Sequence, residues 1–213
     1  MRKGEALLKI LFIGNSKTYR QNMPNILKKL IEATGKEVYI DKATKPGASL
    51  IDLYNEKDTI EKINSNKWDY VVIQERTIKS LQEDTSEFEK GARDICDKIL
   101  ENYVETKIVY NAVGVYCDFN IEEYERTDKH YEEIAKITNG MVCYSGKAFI
   151  DFHRKFSDID LFEDKQHPTL VGAYLTACCL YKLIYKEKLS SIDYYDVLNP
   201  DIAKNLQNLI DTI

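Results

Sequence analysis

Three histidines serve the whole 213-residue chain: His130, His153 and His167. Acid–base chemistry near neutral pH draws first on imidazole, so these three bound the search for a catalytic base. His130 lies in a polar stretch, Asp128-Lys129-His130-Tyr131, and His153 sits between Asp151-Phe152 and Arg154-Lys155; both are expected at solvated surface positions. His167 stands differently, in Asp164-Lys165-Gln166-His167-Pro168, just ahead of an apolar helical pattern. Pro168 fixes the backbone at helix entry. Asp164 is near enough for its carboxylate to reach one ring nitrogen, which leaves the other free to take a proton. The plain alternative is a local Asp–His pair that caps the helix. A hydroxyl on a tight turn completes the chemistry, and Ser16 offers one in Gly14-Asn15-Ser16-Lys17-Thr18, directly after an apolar run. Its plain alternative is a helix cap, the commonest use of serine at such a place.

Competing chemistries find less support. The turn after Ile13 contains neither G-x-G-x-x-G nor a GK[ST] phosphate loop, so no dinucleotide or ATP site is expected. The five cysteines (Cys96, Cys117, Cys143, Cys178, Cys179) are odd in number and form no C-x-x-C pair. They are expected as reduced residues, with Cys96 and Cys178 at apolar helical positions. Clustered Cys/His ligands are missing from the sequence, so no metal is expected, and serine–histidine–aspartate chemistry requires no organic cofactor. Lys17, Tyr19, Arg20 and Arg76 fall beside the candidate serine, either as anion-recognition groups or as solvated loop residues. Thirty basic against 35 acidic residues give a net charge of −5, a poor balance for nonspecific binding to nucleic acid or to a membrane surface. The apolar run Leu7–Ile13, behind Arg2 and Lys3 and broken by Lys9, is too short for a secretory signal. The expected compartment is the cytoplasm, or the exterior for a chain from which a leader has been removed.

The elements that must position Ser16 and His167 follow from periodicity. Leu7–Ile13 predicts a buried strand ended by Gly14, and Pro24 opens a helix with Ile26, Leu27, Leu30 and Ile31 on one face and Gly35 at its end. Residues 37–43 predict a second strand, Leu50–Asn64 one helix, and Trp68–Ile73 a third strand ended by Gln74 and Glu75. Thr85–Tyr103 is strongly helical in spacing, with Ser86 and Glu89 as a capping box. A fourth strand over Lys107–Val113, a helix over Ile121–Thr138 closed by Asn139-Gly140, and a short strand over Met141–Tyr144 follow. Helices over Thr169–Tyr185 and Asn199–Ile213 complete the chain. Five strands alternating with helices predict right-handed crossovers and a parallel sheet covered on both faces. The expected fold is a flavodoxin-like three-layer α/β/α sandwich of strand order 2-1-3-4-5, in a single domain spanning residues 1–213. In such sheets ligands bind at the carboxyl ends of the strands, where Ser16 stands.

Ile13-Gly14-Asn15-Ser16 resembles the G-D-S block of the GDSL/SGNH hydrolases, and Asp164-x-x-His167-Pro168 resembles their D-x-x-H block. Gly47 falls where that family has its second-block glycine, and Val71-Val72-Ile73-Gln74-Glu75 takes the place of the third block. Softer matches are Tyr144-Ser145-Gly146-Lys147-Ala148 and Gly172-Ala173-Tyr174-Leu175. Asn15 replaces the family's aspartate at a position that mostly shapes the turn, so little is expected to be lost. Gln74 replaces an asparagine; some branches of the superfamily resemble this chain in carrying Gln-Glu there. The resemblance implies a serine hydrolase of small acyl esters, with Ser16 as nucleophile, His167 as base and Asp164 as its orienting acid. It also implies an oxyanion hole of the Ser16 and Gly47 backbone amides and the Gln74 side-chain amide. The implied partner is a small-molecule acyl ester, of a carbohydrate or another small alcohol. An acyltransferase with the same triad and a silent binding protein on this fold are the alternatives.

Overall fold

The computed structural model describes residues 7–196 and 198–213; Arg2 and Lys3 lie outside them. The chain begins with β1 (Leu8–Gly14), α1 (Ser16–Tyr19), α2 (Met23–Glu32), β2 (Val38–Thr44), α3 (Leu50–Tyr54) and α4 (Lys57–Asn64). It continues through β3 (Tyr70–Ile73), α5 (Thr77–Leu81), α6 (Ser86–Asn102), β4 (Lys107–Asn111), α7 (Ile121–Ile137) and β5 (Met141–Cys143). It ends in α8 (Ser145–Lys155), α9 (Leu170–Tyr185) and α10 (Pro200–Thr212). The five strands form one all-parallel sheet in the order β2-β1-β3-β4-β5, as the sequence predicts.

Strand periodicity sorts the core into two layers. Ile10 and Phe12 of β1, Tyr70 and Val72 of β3 and Val109 of β4 face one side, where α2, α8, α9 and α10 pack. Leu11 and Ile13, Val71 and Ile73, and Ile108 and Tyr110 face the other, against α3, α6 and α7. α9 is buried from Gly172 through Cys178 and again at Leu180 and Tyr181, because α2, α8 and α10 enclose it. Leu27, Leu30 and Ile31 of α2 are fully buried, each worth about 1.5–3 kcal/mol of transfer free energy. The register pairs Ile13 with both Ala43 and Ile73, and Ile73 with Tyr110. The strands therefore finish at one level, and the loops that follow them emerge together.

Several local expectations are corrected. The helix expected over Leu50–Asn64 is two, because the chain leaves α3 at Asn55 and re-enters a helix after Glu56, which takes an extended conformation. The capping box expected at Ser86 and Glu89 does not form: Thr85 is the N-cap, and the Ser86 N–H donates to the Asp84 carboxylate at 2.9 Å. A capping box forms instead at Ser49 and Asp52, at the start of α3. α8 was not expected, although Ala148, Phe149 and Phe152 follow helical spacing and are all fully buried.

Candidate active site

Ser16 opens α1 at the end of β1. Asn15 caps this short helix by accepting the Lys17 N–H at 3.2 Å, and the Thr18 N–H closes on the Asn15 carbonyl at 2.9 Å. Gly14 is required by space: a Cβ there would lie 2.2 Å from Thr18 Oγ1. The turn therefore coils tightly and leaves the half-buried Ser16 at the carboxyl end of the interior strand β1.

His167 and Asp164 stand on a closed loop. The Glu163 N–H donates to the His167 carbonyl at 2.8 Å, the Thr169 N–H to the Leu161 carbonyl at 2.9 Å, and Phe162 bridges antiparallel to Pro168. Inside it, Asp164 Oδ1 accepts the backbone N–H groups of Gln166 and His167 at 2.8 and 2.9 Å. Its Oδ2 lies 2.7 Å from His167 Nδ1. The amide of Gln166, the imidazole and the amide of His167, in that order, hold the Asp164 carboxyl well below the usual carboxylate range. His167 Nε2 lies 3.0 Å from Ser16 Oγ. With Nδ1–H donated to Asp164, Nε2 is the acceptor for the Ser16 hydroxyl. Residues 151 positions apart thus form one hydrogen-bonded chain, Ser16–His167–Asp164. Glu163 ties the same loop to the segment after α1 by accepting from Gln21 and pairing with Arg20 at 3.5 Å.

Gly47 faces the same site on the loop after β2, at a φ of 66° that suits glycine. Among the described residues neither its backbone N–H nor that of Ser16 has a hydrogen-bond partner. The third expected donor is placed otherwise. Gln74 is 1% exposed; its amide nitrogen donates to the Glu75 carbonyl, and its oxygen accepts from the Asn15 N–H at 3.3 Å and from Thr18 Oγ1 at 2.9 Å. The sequence expectation puts this amide nitrogen on the oxyanion; the structure instead bonds the Gln74 oxygen behind the serine turn and the nitrogen to the Glu75 carbonyl.

The other histidines do not approach this site. His130 is half-buried and its ring nitrogen lies 2.9 Å from the Ser80 carbonyl; His153 is half-buried and stacks on Phe119 at 3.9 Å between centroids. Neither is the solvated surface residue that its neighbours suggested. Of the four polar residues flanking the serine, Arg20 and Arg76 are exposed and Tyr19 is half-buried. Lys17 is buried, 5% exposed, with Nζ donating to the Val113 and Val115 carbonyls at 3.2 and 2.6 Å and standing over the Tyr116 ring. Burial pushes its ammonium down to about 7, against the attraction of Asp164.

Glu75 was not singled out by sequence, yet it braces the site. Its carboxylate accepts the Leu50 N–H at 3.2 Å and the Arg76 N–H at 2.5 Å, and its own N–H donates to the Tyr131 hydroxyl at 3.0 Å. Burial raises its carboxyl to about 7, against the lowering effect of those two amides. A cavity of about 250 Å³ opens beside Ser16, lined by Gly47, Arg76, Ile78, Tyr116 and Gln166. Tyr116 and Gln166 also border a second hollow of about 510 Å³, reaching Cys117, Asp118 and Lys165. Among the described residues there is no cluster of His, Cys, Asp or Glu able to hold a metal ion, and no helix long and apolar enough to cross a membrane.

No sequence-family profile matches the chain, and no curated protein matches it. Solved structures do. A DUF4886 family protein from Bacteroides uniformis superposes with a TM-score of 0.82 at 19% identity, over 97% of this chain and 94% of that one. A lipase/acylhydrolase from Enterococcus faecalis gives 0.64 at 22% identity, over 84% and 95%. Axe2, an acetylxylan esterase from Geobacillus stearothermophilus, gives 0.64 at 20%, over 88% and 98%. The chain has the fold of the SGNH/GDSL-type hydrolases.

Proposed function

We propose that the chain is a serine esterase that cleaves small acyl esters through an acyl-Ser16 intermediate. The observation that carries this reading is the hydrogen-bonded chain from Ser16 Oγ through His167 to Asp164, at 3.0 and 2.7 Å. Ser16 Oγ attacks the ester carbonyl as His167 Nε2 takes its proton; His167 then returns that proton to the leaving alcohol, and water repeats the cycle to release the acid. Asp164 holds the Nδ1–H tautomer and stabilises the imidazolium. The free N–H groups of Ser16 and Gly47 receive the oxyanion, each donor being worth about 3 kcal/mol. The cavity beside Ser16, about 250 Å³, accommodates a short acyl group or a small alcohol, and the adjoining open hollow supports a larger alcohol moiety such as a carbohydrate. The esterase and acylhydrolase names of the structural neighbours are in keeping with this chemistry.

Hydrolysis of p-nitrophenyl acetate by wild type and Ser16→Ala tests it. The variant is expected to lose activity to the background rate while its melting temperature stays within about 2 °C, since a partly exposed hydroxyl contributes little to folding. Full activity in Ser16→Ala removes the proposal.

A further inference from the structure

The ester-hydrolase reading requires the Ser16 hydroxyl and backbone N–H to be held at fixed angles to the Gly47 N–H. These groups sit on separate loops, after β1 and after β2. The turn that carries Ser16 spans only the four residues of α1, too short for its own helical bonds to fix its tilt. A buried side chain from the neighbouring strand supplies the missing support. Gln74, one residue past the end of β3, places its oxygen under the turn, where it accepts from the Asn15 N–H and from Thr18 Oγ1 on either side of Ser16. Its nitrogen is turned away, onto the Glu75 carbonyl. Thr18 is 2% exposed, and the bond to Gln74 is the hydrogen bond its hydroxyl makes among the described residues. Gly14 completes the fit, since a Cβ there would come within 3.1 Å of the Gln74 oxygen as well as striking Thr18.

We propose that Gln74 is a positioning residue that acts through its carbonyl oxygen, clamping the nucleophile turn from behind by way of Thr18 and Asn15. Amide donation to the oxyanion is the rival role for the same side chain, and the two make opposite predictions for Thr18. A direct donor needs nothing from a threonine hydroxyl that faces away from the cavity. A clamp loses one of its two contacts when that hydroxyl is removed.

The proposal rests on the ester-hydrolase reading, and the test separates the two. Wild type is first treated with a fluorophosphonate: absence of label on Ser16 overturns the reading and the clamp together. With label present, kcat and KM for p-nitrophenyl acetate are measured for Thr18→Val, Thr18→Ser, Gln74→Met and the Thr18→Val/Gln74→Met pair, alongside melting temperatures. Thr18→Val is nearly isosteric, so it carries the test even if Gln74→Met fails to fold. The clamp predicts that Thr18→Val lowers kcat about tenfold with KM within about twofold, and that Thr18→Ser, which keeps the hydroxyl, recovers most of the rate. It predicts coupling as well: the double variant falls no further than about twofold below the worse single. Wild-type kcat in Thr18→Val overturns the proposal, as do losses that multiply in the double variant.

Discussion

Asn15 donates its side-chain amide to the Ala48 carbonyl at 3.1 Å, joining the turn that carries Ser16 to the loop that carries Gly47. The same side chain accepts the Lys17 N–H through its oxygen, so both ends of the amide are engaged at a position only 4% exposed. Aspartate, the residue of the G-D-S block, can do the second task and not the first. The substitution is therefore matched to this chain's own loop, and is more than the neutral turn variant that its sequence suggested.

Asn15→Asp, although it restores the family's usual residue, is expected to destabilise the fold by about 1–3 kcal/mol, because it sets a buried carboxylate oxygen against the Ala48 carbonyl. The rate of ester hydrolysis should fall with it. Urea denaturation and kcat on one preparation check both; an unchanged midpoint and rate would show that the Asn15–Ala48 bond contributes nothing.

In the proposed mechanism only one histidine, His167, takes part in the chemistry. His167→Ala is expected to lower kcat by at least about 10³-fold. His130→Ala and His153→Ala should keep kcat within about threefold and lower the melting temperature by a few degrees, since one loses the bond to the Ser80 carbonyl and the other its stack on Phe119. Steady-state kinetics with thermal melts on the three variants decide the point.

Lys17 and Glu75 bring two buried ionisable groups to the site with opposite consequences for pH. The Lys17 ammonium is pushed from 10.5 to about 7, so between those values the folded chain binds fewer protons than the unfolded one, and this residue's contribution to stability rises with pH. Denaturation of wild type and Lys17→Met at pH 7 and pH 9 should show wild type gaining on the variant at the higher pH. A constant difference would mean that the buried amine carries no titration.

The Glu75 carboxyl is raised from 4.5 to about 7, so the folded chain binds more protons across that window, and its contribution falls as pH rises through it. Glu75→Gln removes this titration. The stability of wild type relative to the variant is expected to be higher at pH 5 than at pH 8. The reverse order would contradict the burial that raises this group.

The sheet was legible in the sequence because short, nearly continuous apolar runs such as Leu8–Ile13 and Tyr70–Ile73 fit strands buried on both faces, and the parallel order followed from the helices between them. The hydrogen-bonded chain of Ser16, His167 and Asp164 was legible because Ser16 follows a glycine at the end of a strand and His167 stands between Asp164 and Pro168 just ahead of an apolar helix. The direction of the Gln74 amide was not legible: one methylene decides whether it reaches the cavity or turns under Thr18, and only packing around Gly14 settles that. Lys17 likewise resembles a solvated loop charge until the Val113 and Val115 carbonyls, some hundred residues away, enclose it. Tertiary contacts of that kind leave no mark on local spacing.

The proposed mechanism makes Ser16 a nucleophile activated by His167. Incubation with a fluorophosphonate, followed by peptide mass analysis, tests it most directly. One equivalent of phosphonate on the peptide containing Ser16 in wild type, with labelling slowed by orders of magnitude in His167→Ala, is the predicted result. An unlabelled Ser16 in folded wild-type protein, or equal labelling of wild type and His167→Ala, would contradict it.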